Sequence, residues 1–154
     1  MDLVEELGRI ATALEAQGIR YALCGGLAMA VYGAVRATMD VDLLLDETDL
    51  PRALAIVAAM GYDLPAAPME FAAGAVRICR ISKAFPDTDD LLPLDFLLVS
   101  DALRDIWDTR RHIAFGKNFL YVVSRQGLAD LKALRGSAQD IADIAALMEV
   151  DNGS

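Results

Sequence analysis

Two aspartates stand one residue apart inside an apolar run, Met39-Asp40-Val41-Asp42-Leu43-Leu44-Leu45. Side chains alternate faces along a strand, so a strand over 39–45 turns Asp40 and Asp42 to one side and Val41 to the other. The three leucines mark that strand as central and largely buried. Two carboxylates sharing a buried face repel each other and lose hydration, an arrangement that calls for a compensating cation. Oxygen ligands at this spacing suit Mg²⁺ or Mn²⁺, which take one or two carboxylates together with substrate phosphates. Relief of that repulsion predicts that Asp40→Asn stabilises the metal-free fold. The competing reading is two solvated acids at a frayed strand end, and a bare Asp-x-Asp is too short to decide.

The context upstream bears on the choice. Residues 19–24, Ile-Arg-Tyr-Ala-Leu-Cys, read as a short buried strand that Gly25-Gly26 breaks, and a small-residue helix follows from Leu27 to Tyr32. Glycines at a strand-to-helix turn let backbone N–H groups approach a phosphate closely. Thirteen residues separate Gly26 from Asp40, enough for one short helix and a return turn. Both features can therefore meet at one end of a sheet.

The remaining elements set the fold class. Leu3, Val4, Leu7, Ile10 and Leu14 recur at helical spacing, and Gly18 stops that helix. Asp46 to Met60 reads as a helix with Thr48 and Asp49 as cap candidates and Pro51 in its first turn, closed by Gly61. Tyr62 to Gly74 reads as loop. Strands are expected at 75–82 and 94–99, joined as a hairpin through the polar loop 85–90. A helix from Asp101 to Arg111, capped by Ser100 or Asp101, precedes short strands near 113–115 and 119–123. Ser124 caps a helix to Leu134 that Gly136 ends, and Ser137 caps a last helix to Glu149. The fold class is α/β (α+β): a mixed sheet flanked by helices, with C-terminal helices. One domain over 1–150 and a tail over 151–154 are expected.

Composition excludes several classes. With 55% hydrophobic residues a sizeable core is available. No apolar run reaches the ~18 residues of a membrane span. The start, Met1-Asp2-Leu3-Val4-Glu5-Glu6, is acidic where a secretory leader is basic, which predicts a cytoplasmic protein without a membrane partner. A net charge of −9 disfavours a long nucleic-acid groove. It does not exclude a nucleotide, because bound cations locally invert the sign of a site. Cys24 and Cys79, each in an apolar stretch, read as buried reduced thiols, and with His112 as the sole histidine a zinc centre is disfavoured.

Cys24-Gly25-Gly26 followed by Asp40-Val41-Asp42-Leu43 resembles the signature of the DNA polymerase beta-type nucleotidyltransferase superfamily. Gly25-Gly26-Leu27-Ala28 through Gly33, Arg36, Thr38 and Asp40 is similar to the branch of minimal nucleotidyltransferases and AbiEii-like toxins. The run 131–136 with Asp140, Asp143 and Ile144 resembles the Lys and Arg-to-Asp pattern that ends many such proteins. The resemblance covers 19–46 well, 128–147 moderately and the middle poorly. It implies a nucleotidyltransferase-like core that binds a nucleoside triphosphate with Mg²⁺ or Mn²⁺ and passes a nucleoside monophosphate to an acceptor hydroxyl. It also implies a toxin-like role with an antitoxin-like protein partner. A third metal-associated carboxylate on a later strand is implied as well. Asp95 is the best match, a lone acid between Leu94 and Phe96-Leu97-Leu98-Val99, with Asp89 and Asp90 as competitors.

Other candidates carry two readings each. Arg36, two residues before Thr38, either touches phosphate or pairs with a carboxylate and holds the turn. Lys132 either reaches phosphate or is a solvated helix lysine. Arg135 and Asp140 read as an ion pair, and Arg110-Arg111 as a basic helix C-terminus. Trp107 and Tyr121 read as core or interface. The missing base- or acceptor-gripping domain keeps two alternatives to an enzyme alive: a binding module without turnover, and a purely structural subunit.

Overall fold

A computed structural model of the chain describes residues 2–153, with side chains through Glu149. Helix α1 (Leu3–Ala16) forms because Leu7, Ile10, Ala11 and Leu14 share one buried face. The Asp2 carboxylate caps it, accepting from the backbone N–H groups of Val4 and Glu5 at 3.0 and 3.1 Å. The chain continues through β1 (Tyr21–Cys24), α2 (Gly25–Val31), β2 (Val41–Leu45), α3 (Leu50–Ala58), β3 (Tyr62–Pro65), β4 (Met69–Phe71), β5 (Val76–Ala84) and β6 (Leu91–Leu98). It ends with α4 (Arg104–Asp108), β7 (Arg111–Phe115), β8 (Asn118–Val122), α5 (Arg125–Arg135) and α6 (Ala138–Gly153).

Among the described residues the eight strands form one mixed sheet in the order β3-β5-β6-β2-β1-β8-β7, with β4 also paired to β5. The β2–β6 and β1–β8 pairs are parallel, and the other pairs antiparallel. Every residue of β1 and β2 is buried, so these central strands are covered on both faces. The α/β (α+β) class with a mixed sheet is what the structure has. Each fully buried leucine of β2 contributes about 2 kcal/mol of apolar transfer, which makes this strand a rigid platform for the acid it carries. Buried Glu6 ties α1 to the sheet by accepting from the Tyr62 hydroxyl at 2.9 Å and from Lys83 Nζ at 3.0 Å.

Several expectations need correction. Residues 62–74 are not all loop: β3 and β4 run antiparallel to β5, and Ala72–Gly74 is a 3-10 turn. The pairing partner decides here, because neither segment shows a clean alternation of its own. The helix expected over 46–60 is α3 alone, preceded by a 3-10 turn at Glu47–Asp49 that Asp46 caps through Thr48. The helix expected over 101–111 shrinks to a 3-10 turn at Asp101–Leu103 and α4, and Arg111 opens β7. Arg110 does bond a helical carbonyl, that of Trp107 at 2.8 Å, and its guanidinium lies over the buried Trp107 ring. The last helix continues past Glu149 to Gly153, and Met1 and Ser154, the two chain ends of the expected domain and tail, lie outside the described residues.

Helix starts at the C-terminal end follow the sequence closely. Ser124 Oγ accepts from Gly127 N–H at 2.9 Å at the head of α5, and Gly136 ends that helix in the left-handed conformation. Ser124→Ala is expected to lower stability by about 1 kcal/mol in urea denaturation, with the slope unchanged. No described helix is long and apolar enough to cross a membrane.

Candidate metal centre

Strand register builds the centre. Cys24 pairs with Asp42, Asp42 with Asp95, and Asp95 with Arg80, so one row across β1, β2, β6 and β5 carries all four residues. Paired residues on neighbouring strands project to the same face. Asp42 and Asp95 therefore stand side by side, 7% and 3% exposed. Asp40 lies just ahead of β2 rather than within it, and its side chain is 31% exposed. It still converges with the others: one carboxylate oxygen from each of Asp40, Asp42 and Asp95 lies within 4.8 Å of the rest. Asp89 and Asp90, the competing acids, are exposed in the β5–β6 loop.

The electrostatics are those of an undercompensated acid cluster. Burial raises the Asp42 carboxyl well above the ordinary carboxylate range, and the charges of Asp40 and Asp95 raise it further. Burial and the Asp95 charge raise Asp40 too, against the opposing pull of Arg80. Burial and the neighbouring Asp42 likewise push the Cys24 thiol up, which keeps it protonated and inert, whereas Cys79, expected to be buried too, is only partly so on β5. Thr38 Oγ1 donates to Asp40 Oδ1 at 3.4 Å.

Both glycines of the turn are required by these side chains. Gly25 has φ +71°, and a Cβ there would overlap Asp42 Oδ2 and stand 2.7 Å from its Cγ. A Cβ on Gly26 would come within 2.5 Å of Thr38 Oγ1. The turn thus packs directly onto Asp42 and Thr38, and the strand pairing Cys24–Asp42 holds it there.

Arg36 and Lys132 meet at a neighbouring carboxylate. Asp143 of α6 accepts from buried Lys132 Nζ at 2.8 Å, from Gln139 Nε2 at 2.8 Å and from Arg36 Nη2 at 3.1 Å. Burial opposes ionisation of Asp143, but hydrogen bonds from Lys132, Gln139 and Arg36 outweigh it and hold the group below its usual range. Lys132 is therefore no solvated helix lysine, and of the two readings of Arg36 the geometry shows the carboxylate pairing. The cluster locks the segment leading to Asp40 against α5 and α6. Asp140 bonds the Ser137 hydroxyl at 2.6 Å and its N–H at 3.1 Å, in place of the expected pair with Arg135. Arg135 stacks over Phe71 instead.

Arg80 is the residue that the sequence reading missed. It donates Nε to Asp95 Oδ1 at 2.7 Å and Nη2 to Asp95 Oδ2 at 2.9 Å, and Nη2 lies 3.6 Å from Asp40 Oδ2. A half-exposed arginine on an alternating strand looks like ordinary solvent-facing decoration, and only the β5–β6 register reveals its partner. Among the described residues no cationic side chain pairs with the Asp42 carboxylate.

The donor set fits a hard divalent cation. It consists of carboxylate oxygens, two of them buried, with one guanidinium against three acids. Depth is not what marks the site. A groove of about 890 Å³ lined by the outer face of α1 and the β7–β8 turn contains none of the three acids. Beside Asp42 lies a cavity of about 20 Å³ bounded by Cys24, Gly25, Lys132 and Arg135.

No protein-family model matches the sequence, and no curated protein matches it by sequence comparison. Solved structures do match in shape. The lincomycin-bound lincosamide antibiotic adenylyltransferase LnuA superposes with a TM-score of 0.58 at 14% identity, covering 95% of this chain and 96% of LnuA. ANT(2")-Ia in complex with adenylyl-2"-tobramycin gives 0.64 at 14% identity, covering 97% and 92%. TM1012 from Thermotoga maritima gives 0.58 at 14% identity, covering 98% and 93%. The chain shares its fold with these proteins over nearly its whole length.

Proposed function

We propose that the protein is a metal-dependent nucleotidyltransferase that moves a nucleoside monophosphate from a nucleoside triphosphate to an acceptor hydroxyl. The observation that carries this reading is the convergence of Asp40, Asp42 and Asp95 within 4.8 Å beside the Gly25 turn. The fold shared with the adenylyltransferase LnuA and with ANT(2")-Ia, solved with an adenylylated tobramycin, supports it. Asp40, Asp42 and Asp95 would hold Mg²⁺ or Mn²⁺, which when bound supplies charge neutralisation on the triphosphate and on the departing pyrophosphate.

The chain's own residues do the rest. Asp40, the most exposed of the three acids, faces the incoming phosphates. Asp95, once free of Arg80, accepts the proton of the acceptor hydroxyl. The new bond joins the acceptor oxygen to the α-phosphorus, and the bond to the pyrophosphate oxygen breaks. Gly25 and Gly26 let the turn pack directly onto Asp42 and Thr38, and Thr38 orients Asp40. Arg36 and Lys132 act indirectly, by fixing the loop ahead of Asp40 through Asp143. Catalysis is then positioning and electrostatics.

The acceptor we propose is a small polyhydroxyl molecule. The chain spans nearly all of LnuA and of ANT(2")-Ia, whose bound molecules are lincomycin and an adenylylated tobramycin. Transfer RNA as the acceptor sits poorly with a net charge of −9. The test is transfer of label from each α-labelled triphosphate to panels of hydroxylated small molecules, transfer RNA and protein, with Mg²⁺, with Mn²⁺ and with chelator. Transfer that needs the ion and favours small acceptors is expected. Turnover unaffected by chelator would refute the metal-dependent reading, and label appearing only in transfer RNA would refute the proposed acceptor.

A further inference from the structure

The register row places one positive charge among three negative ones. Arg80 binds both oxygens of Asp95 in a fork, and the same Nη2 leans 3.6 Å from Asp40 Oδ2. That nitrogen bridges two of the three acids, which is where an ion shared by Asp40 and Asp95 would have to sit. A guanidinium and a divalent cation cannot both occupy it, because like charges at that separation in a partly buried site repel strongly. The two partners are also unequally fixed. The Asp95 side chain is 4% exposed and sits in the middle of a central strand, whereas the Arg80 side chain is 34% exposed. Arg80 can therefore swing out toward solvent while Asp95 stays.

We infer that Arg80 is the resident counter-ion of the ion-free centre and must release Asp95 before the three acids can hold a divalent cation. This rests on the reading of the triad as an ion site. Arg80 is a positioning residue here. It keeps the empty acid cluster folded and sets the ion concentration at which the centre assembles.

The test is titration of Mn²⁺ alone, followed by the electron paramagnetic resonance of the free ion, against wild type, Arg80→Gln and Arg80→Lys. Arg77→Gln serves as control, since Arg77 lies on the same strand but pairs with Glu47 at the surface. Arg80→Gln is expected to bind Mn²⁺ about tenfold tighter than wild type or more, with the ion-free protein melting at a lower temperature. Arg80→Lys keeps the charge and loses the fork, so its affinity should fall between the two. It carries the test if the glutamine variant does not fold. Arg77→Gln should match wild type. Binding by the Arg80 variants where wild type shows none also supports the inference. Wild-type binding that the Arg80 variants leave equal or weaken would overturn it and leave the ion site standing. No Mn²⁺ bound by wild type or by any Arg80 variant would overturn the ion site and the inference together.

Discussion

Asp42→Asn is expected to reduce nucleotidyl transfer to background while making the metal-free protein more stable than wild type. The loss of transfer follows from the removal of a buried anionic ligand at the centre of the row, and a fall of at least about 10³-fold is expected. The gain in stability follows from linkage. The folded state raises the Asp42 carboxyl, through burial first and then through Asp40 and Asp95, so the folded chain holds a proton that the unfolded chain has released. Stability must then fall as pH rises from the unfolded value toward the folded one, and the penalty is full above it. Asparagine keeps the shape and removes that penalty. At neutral pH the gain should appear as a thermal midpoint a few degrees higher than that of wild type. Below the ordinary carboxylate range the two proteins should converge. Thermal melts in chelator across pH check both statements. A variant that is less stable than wild type at neutral pH would contradict the electrostatic account.

Gly25→Ala is expected to impair the same centre for a steric reason. The backbone there has φ +71°, where an L side chain is strained. The added Cβ would also run into the Asp42 carboxylate. Either Asp42 moves off the row or the turn moves off Cys24, and both outcomes misplace a ligand by more than the ~0.5 Å tolerated in a working centre. Transfer should fall at least about 100-fold, and stability by about 2 kcal/mol. Activity and urea denaturation measured side by side are decisive. A variant with wild-type turnover would show that Gly25 does not define the geometry of Asp42.

Those two residues were also the most legible in the sequence. An acid pair ahead of three leucines and a glycine pair after a short apolar strand carry their chemistry in their spacing. Asp95 was readable from the same contrast, a single acid in an otherwise apolar strand, and the β2–β6 register puts it beside Asp42. What the spacing hid was the distribution of burial. The sequence suggests relief of repulsion at Asp40, but Asp40 precedes the strand, is partly exposed and leans on Thr38 and Arg80, so the strain concentrates at Asp42. Lys132 looks solvated by helical default, because its partner Asp143 lies eleven residues away on another helix. Strands β3 and β4 escaped because Tyr62–Pro65 buries only its first residue and Met69–Phe71 has three residues, so pairing with β5 alone defines them. Arg80 escaped for the same reason: its meaning lies across the sheet, not along the strand.

Crystals soaked in Mn²⁺ test the central claim most directly, through the anomalous signal of the ion. The account predicts a peak among the carboxylate oxygens of Asp40, Asp42 and Asp95, at about 2.1 Å from its ligands, with Arg80 withdrawn. Ordered crystals at saturating Mn²⁺ with no peak among the three acids, and the Arg80–Asp95 fork intact, would contradict it.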